Sequence, residues 1–330
     1  MLPVTFDRRR MGRLAAYAAT WVIWGSTYLA IRVGVEALPP FLLAGVRSVA
    51  AGCILCAWGV LRGDRLPTRR QWGAAALTGA LFFLLGHGGL FWGEQRVPSG
   101  PAALLVATEH LWIVMFAWML PGGVRPTRRA LAGIGVGLAG VGLLTVDGGI
   151  GRLDPAGAGA VLLCALTWAA GLVYFRGGRR PQSDAFAAGA PLLAGGVQLL
   201  AASLGLGEPQ TVSMADVTPQ ALGALAYLIV FGSVVAFTAL TWLNRVEGPG
   251  RSASYAYVNP LVAVALGWAF AGEAVSARVL LAGAAIVAAV LLVVTGTRAE
   301  PGEAPAAPVR SARPRGPRLP VRPRLRTGET

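Results

Sequence analysis

Long apolar runs alternate with short gaps that contain arginine along most of the chain. Ten of these runs are near the ~20 residues that a helix needs to cross a bilayer. They cover residues 14–35, 41–61, 71–92, 99–120, 128–146, 157–175, 185–206, 219–242, 250–271 and 277–296. The gaps leave no room for an extramembrane domain between spans. The pattern predicts an all-α integral membrane protein with ten transmembrane helices.

Arginine is distributed unevenly between the two sets of gaps. One set consists of the N-terminal segment 1–13 and the gaps after the second, fourth, sixth and eighth spans, and it holds 16 arginines. The opposite gaps hold only Arg96, Arg152 and Arg278. Cytoplasmic loops of membrane proteins carry an excess of positive charge. We therefore expect a multi-pass protein of the cytoplasmic (plasma) membrane with both termini in the cytoplasm.

Composition excludes several classes of protein. Hydrophobic residues make up 55% of the chain and charged residues 13%, about half the charged fraction of a soluble domain. All 29 basic residues are arginine, which rules out the usual phosphate-binding loop with its lysine. The net charge of +14 comes from membrane-flanking arginines and a Pro/Arg-rich tail over 297–330, predicted to be disordered and cytoplasmic. We expect contact with membrane lipids and none with nucleic acid.

The second half of the chain resembles the first. A shift of 150 residues aligns 98–146 with 248–296 at 12 identical positions of 49, and a shift of 144 places Trp24 on Trp168. Two repeats follow, over 14–146 and 157–296. Because each holds five spans, an odd number, the second repeat must be inverted in the membrane relative to the first. Inverted repeats are typical of secondary transporters, whose substrate site lies near the midplane.

Several short motifs also resemble one known family. They are Trp24-Gly25-Ser26-Thr27, Pro39-Pro40 followed by Arg47, Pro98-Ser99-Gly100, the run Ser254 to Pro260, and Gly272-Glu273. In this order and spacing the chain is similar to EamA-type members of the drug/metabolite transporter superfamily, close to the YedA-like branch. The resemblance implies ten helices in two inverted repeats, no cofactor, and export of small metabolites or amphiphilic compounds, often against proton influx.

The chain departs from the family pattern in two places. Glu109-His110 stands where similar proteins carry a proline that matches Pro260 of the second repeat. Gly122-Gly123 stands in the first repeat where the second has Gly272-Glu273.

Glu109 and His110 lie near the centre of the fourth span and are the candidates for proton coupling. Ionisable side chains at this depth face the bundle interior or a wet cavity, and a carboxyl group that burial keeps neutral is suited to proton exchange. Neighbouring residues lie about 100° apart on a helix, so we expect both to border one cavity without facing each other. The alternative is a packed polar pair bound to nearby hydroxyls or to Arg47.

The other candidates are substrate-binding residues. Arg47, about 10 Å deep in the second span, could bind a carboxylate or phosphate; alternatively it snorkels to the interface or pairs with Glu36 or Glu94. Asn259 and Pro260 interrupt the ninth span and free backbone carbonyls, or form only a kink. Aromatic and imidazole side chains deep in other spans could form a wall for the solute, or simply pack: Trp24, His87, Trp112, Trp168 and Tyr255.

The sequence favours a secondary transporter. Glu109 is the first residue to replace in a test of this function. A channel or a non-transporting receptor is the first alternative. An intramembrane enzyme is less favoured, because the chain has two histidines and neither a His-Glu-x-x-His nor a Gly-x-Ser-x-Gly motif. No metal site or cofactor is predicted. The sequence is compatible with a homodimer and does not decide the substrate or the direction of transport.

Overall fold

The computed structural model describes residues 8–119, 125–145, 153–175, 181–213, 217–247 and 254–296. All regular structure in these ranges is helical, as predicted. The long helices are α1 Arg10–Ala37, α2 Pro40–Leu61, α3 Arg69–Glu94, α4 Ser99–Met119, α5 Arg128–Thr145, α6 Pro155–Phe175, α7 Asp184–Gly205, α8 Pro219–Leu243, α9 Tyr255–Ala271 and α10 Ala277–Gly296. A single turn of helix, Glu208–Thr211, follows α7.

A helix therefore lies on each of the ten predicted spans. Eight of the described helices are long and apolar enough to cross a membrane, and α9 contains a shorter apolar helix over Val258–Ala271. That α5 and α9 cross the bilayer stays a prediction. Gly122-Gly123, Arg152 and the basic tail 297–330 lie outside the described residues.

Helices begin and end in the same way at positions that the repeat makes equivalent. Thr68 caps the start of α3 by accepting from Gln71 N, and Thr218 caps the start of α8 by accepting from Ala221 N. Gly63 and Gly207, 144 residues apart, follow α2 and α7 with the same φ of 73°, a left-handed conformation that ends helices and favours glycine.

Helices α2 and α7 form a close pair in which the two partners exchange equivalent contacts. A Cβ added to Gly52 would lie 2.6 Å from Leu193 N, and one added to Gly196 would lie 2.6 Å from Val49 N. Each of these contacts becomes the other under the shift of 144 residues. Small residues allow backbones to approach in this way inside a membrane.

Carboxylates at both ends of this pair show that its helices are antiparallel. Glu208, just after α7, accepts from Leu42 N at 2.8 Å near the start of α2. Its equivalent Asp64, just after α2, accepts from the hydroxyl of Ser183 at the start of α7. The end of each helix therefore lies beside the beginning of its partner.

Two further pairs of equivalent helices are also antiparallel. In α5 and α10, Gly140 packs on Ile286 while Gly296 lies beside Ala130. In α4 and α9, Glu109 contacts Tyr255 while Gly100 packs on Val264. Between these pairs α1 packs on α8 and α9, and α6 packs on α3 and α4, so exchanging the two halves reproduces the neighbours.

Three helices contain a π-helical stretch, a wider turn that often marks functional sites. The stretches are Ala19–Ile23 in α1, Ala80–His87 in α3 and Leu228–Val235 in α8. Those of α3 and α8 occupy corresponding parts of the two halves. All three lie beside the polar residues described next.

Candidate functional site

The break in α4 holds the buried acid of the site. Thr108 N donates to Leu105 O, a tightened turn, and a new helical segment starts at Glu109. Glu109 is 4% exposed, and the Tyr255 hydroxyl of α9 donates to its Oε1 at 3.2 Å. The predicted location of Glu109 in the bundle interior therefore agrees with its burial, and its hydroxyl partner comes from the equivalent helix of the other half.

His110 faces Glu109, contrary to the expectation from regular helix geometry. Its Nδ1 lies 3.5 Å from Glu109 Oε1, because both residues sit at the break near Thr108, where the regular turn is interrupted. His110 is 5% exposed, and its Nδ1 has no hydrogen-bond partner among the described residues. The two residues and Tyr255 form a compact polar cluster.

Most of the predicted aromatic candidates lie in one continuous row of rings, which we call the aromatic arc. Tyr255 contacts Trp24 at 4.9 Å, Trp24 contacts Phe237 at 5.3 Å, and Phe237 contacts Trp168 at 6.5 Å. His87 stacks on Trp168 at 5.5 Å. The arc joins α9, α1, α8, α6 and α3, so residues far apart in sequence line one inner surface.

Trp24 and His87 of the arc differ in the hydrogen bonding of their ring nitrogens. The Trp24 indole donates to Gly232 O at 3.0 Å within the π-helical stretch of α8. Nδ1 of His87 has no hydrogen-bond partner among the described residues. Trp112 is not part of the arc: it is half-buried, and its indole nitrogen is unpartnered within the described part of the chain.

Arg47 lies beside Phe91, whose ring is 5.9 Å from His87 of the arc. It is 3% exposed, its Nε donates to the Ser233 hydroxyl at 3.0 Å, and its guanidinium lies 5.7 Å from the centre of the Phe91 ring. The considered alternatives of snorkelling to the interface or pairing with Glu36 do not occur, because Arg47 is buried and Glu36 pairs with Arg32 at 3.4 Å.

Glu94 is a buried acidic residue that follows the third predicted span. Helix α3 extends to Glu94, two residues beyond the predicted limit, and the side chain is fully buried. Neither carboxylate oxygen has a hydrogen-bond partner in the described residues. Glu94 interacts electrostatically with Arg47, but the two form no ion pair within 4 Å. The signal was present in a glutamate directly following an apolar run.

Asn259 and Pro260 lie next to the arc and not inside it. The Asn259 amide, oriented with its nitrogen toward the carbonyls, donates to Trp21 O at 2.9 Å and to Tyr255 O at 3.1 Å. Asn259 thus binds the π-helical stretch of α1 to α9. Pro260 lines an apolar groove of about 700 Å³ with Leu104 and Trp268, so its closest surroundings are apolar.

The site combines buried charged side chains with a row of aromatic rings. The described residues contain no group of three or more His, Cys, Asp and Glu that could hold a metal ion. Ser233 and Phe237 were missed by sequence reasoning because isolated hydroxyl and phenyl groups in apolar spans carry no distinguishing pattern. Tyr28, buried and interacting electrostatically with both Glu94 and Glu109, was missed for the same reason.

Comparison with known proteins gives a consistent result. The model of the EamA-like transporter family matches twice, over residues 11–146 and 155–295. The inner membrane transporter YedA of Escherichia coli (strain K12) is 41% identical over 92% of this chain and 97% of its own length. A probable terminal-alkyne amino-acid exporter of Streptantibioticus cattleyicolor is 29% identical over 84% of this chain and 92% of its own length. A solved crystal structure with 25% identity covers 88% of this chain and 100% of its own, with a TM-score of 0.59.

Proposed function

The chain belongs to the EamA-like transporter family, and we propose that it is a secondary active exporter of small metabolites or amphiphilic compounds that works by alternating access. As a transmembrane transporter it needs a site that each side of the membrane can reach in turn. The observation that carries the proposal is the buried Glu109 of α4 bonded to Tyr255 of the equivalent helix α9. When the two halves exchange conformations, a contact between equivalent helices is expected to change.

Inverted repeats over 14–146 and 157–296 are part of this proposal. The antiparallel pairing of α2 with α7, α4 with α9 and α5 with α10 supports inversion, as does the odd number of spans in each half. In such proteins the two conformations arise when the repeats exchange their arrangements about a fixed central site. Both termini are then on the cytoplasmic side, as the arginine distribution predicts.

The substrate we propose carries at least one charged group and an apolar part. Arg47 keeps donors for a carboxylate or phosphate, Glu94 is an unpartnered acceptor for an ammonium group, and the aromatic arc suits an apolar or cationic moiety. The relative named as an amino-acid exporter agrees with a solute of this size and charge. Trp24, His87, Trp168 and Tyr255 would line its path, with Trp112, Asn259 and Pro260 farther from the arc.

Coupling to protons through Glu109, with His110 beside it, completes the proposal. A buried carboxyl in hydrogen-bond contact with a tyrosine can bind a proton in one conformation and lose it in another that admits water. Uniport is the alternative mechanism. Export that does not respond to an imposed proton gradient in vesicles favours uniport and contradicts the role of Glu109.

The test compares the growth medium of cells that overproduce the wild type with that of cells producing Glu109→Gln at equal membrane levels. We expect a small molecule to be enriched by the wild type alone. Glu36→Gln is the matched control, because the Glu36 side chain is 62% exposed and should leave enrichment unchanged. Equal enrichment by wild type and Glu109→Gln keeps the exporter and removes the proton carrier.

A channel is distinguished by the form of its flux. Uptake into vesicles that saturates with substrate concentration supports a carrier, whereas unsaturable flux that follows voltage supports a channel. An enzyme would instead change the substrate chemically, and replacing both His87 and His110 should then abolish that conversion.

A further inference from the structure

Glu273 connects the two halves of the protein at one end of α4. Its Oε1 accepts from Ser99 N and from the Ser99 hydroxyl, both at 2.7 Å, and its Oε2 accepts from Gly100 N at 3.0 Å. These are unpaired donors at the start of a helix, where a negative charge is also favoured by the helix dipole. One carboxylate of the second half therefore satisfies the beginning of α4.

The chain is shaped locally to bring this carboxylate into position. Gly272 ends α9 in the left-handed conformation with φ 64°, and Glu273 N then donates back to Gly267 O at 3.0 Å. A Cβ added to Gly267 would lie 2.5 Å from Glu273 Oε2, so a larger residue there would displace this carboxylate. The contact is a built feature of the α4 and α9 pair.

The Ser99 end of the α4 and α9 pair is closely packed. Val97 and Ser99 are fully buried, and every residue of the segment Ser99–Leu105 is buried. The Glu273 contact thus lies where the two halves are in tight contact.

The equivalent position in the first half is Gly123, which has no carboxylate. From the contact and this asymmetry we propose that Glu273 is a latch that holds the Ser99 end of the α4 and α9 pair closed and sets the resting state of the transporter. This inference rests on the proposed alternating access. Opening at this end separates Ser99 from Glu273 and breaks three hydrogen bonds to one carboxylate, whereas the equivalent Gly123 has no carboxylate to form such a contact.

The test measures access to the contact surface and needs no substrate. Ala103 is 1% exposed and lies one helical turn after Ser99 on the same face. A cysteine at Ala103, in a background that lacks Cys53, Cys56 and Cys164, reports separation of α4 from α9. Purified protein in lipid nanodiscs exposes both faces, and the rate of reaction with a water-soluble maleimide is measured.

We expect Glu273→Gln to increase this rate about tenfold, because loss of charge-assisted hydrogen bonds shifts the equilibrium between closed and open states. Ser99→Ala removes one of the three donors and should increase the rate less, which keeps the test valid where Glu273→Gln does not fold. Glu208→Gln is the matched control. Glu208 also caps a helix of the other half, at Phe41 N and Leu42 N, but in the α2 and α7 pair.

Two results would overturn the latch. One is an unchanged labelling rate in folded Glu273→Gln; the other is an equal increase in Glu208→Gln, which would indicate general loosening. Melting temperatures of all variants identify loss of folding. Increased labelling without any measurable transport by the wild type would instead argue against the proposed function and leave the latch in place.

Discussion

Two pairs of equivalent helices differ in how far their symmetry extends. In the α2 and α7 pair, Gly52 and Gly196 make reciprocal contacts, and Asp64 and Glu208 each accept a hydrogen bond at the start of the partner helix. In the α4 and α9 pair, equivalent positions carry different chemistry.

The differences in the second pair are concentrated at its polar residues. Glu109-His110 is equivalent in the repeat to Asn259-Pro260, and Gly123 is equivalent to Glu273. Symmetric contacts require only that two backbones approach, which glycine allows from either side. A bound solute and a transported proton have no such symmetry. The packing between helices therefore keeps the repeat, whereas the candidate site departs from it.

The largest effect should come from making the site symmetric. Glu109→Asn gives α4 the residue of α9, and we expect export to fall at least about tenfold and any proton dependence to vanish, because the buried acid is lost. The measurement is initial export rate at equal membrane levels. The control is Leu193→Val, which gives α7 the residue that α2 has at Val49 and should change export little, since it removes only one methylene and no polar group. Similar losses in both variants would contradict the distinction.

Arg47 is where the symmetry of the α2 and α7 pair ends, since its equivalent is Pro191. Arg47→Lys keeps the charge but loses the planar group that donates to Ser233 and can bind an anion by two bonds. We expect the apparent KM to rise about tenfold with a smaller change in maximal rate. The same variant with the thermal stability of the wild type and an unchanged KM would remove Arg47 from the substrate site.

Much of the fold could be predicted from sequence, because apolar length and arginine distribution report directly on the bilayer. The limits of α3 show where such reasoning ends: Glu94 follows the apolar run and was placed in a gap, although α3 continues through it and buries it. The site was predicted in part. Glu109 stood out as a charge within a span, whereas Ser233 and Phe237 become relevant only through contacts between distant helices.

The close approach of α2 and α7 gives a prediction on stability. Gly52→Ala places a Cβ 2.6 Å from the backbone nitrogen of Leu193 and should destabilise the protein by about 1–3 kcal/mol. Gly196→Ala should cost a similar amount, because its contact is the equivalent one. Gly73→Ala is the control, since a Cβ there meets nothing within 4 Å; it should stabilise α3 by up to about 1 kcal/mol. Thermal unfolding in detergent measures all three, and equal shifts at Gly52 and Gly73 would contradict the packing argument.

The smallest effect we predict comes from adding the missing carboxylate to the first half. Gly123→Glu restores the sequence symmetry with Glu273, at a position four residues after the end of α4. A second latch there would oppose the first, so the resting state should shift toward opening at the Ser99 end. In the Ala103→Cys background we expect a two- to threefold rise in maleimide labelling, less than the rise caused by Glu273→Gln, because the original latch is still present. Gly123→Gln is the control, since it adds the same bulk without the charge. A fall in labelling, or an equal rise in Gly123→Gln, would show that the asymmetry between Gly123 and Glu273 does not set the resting state.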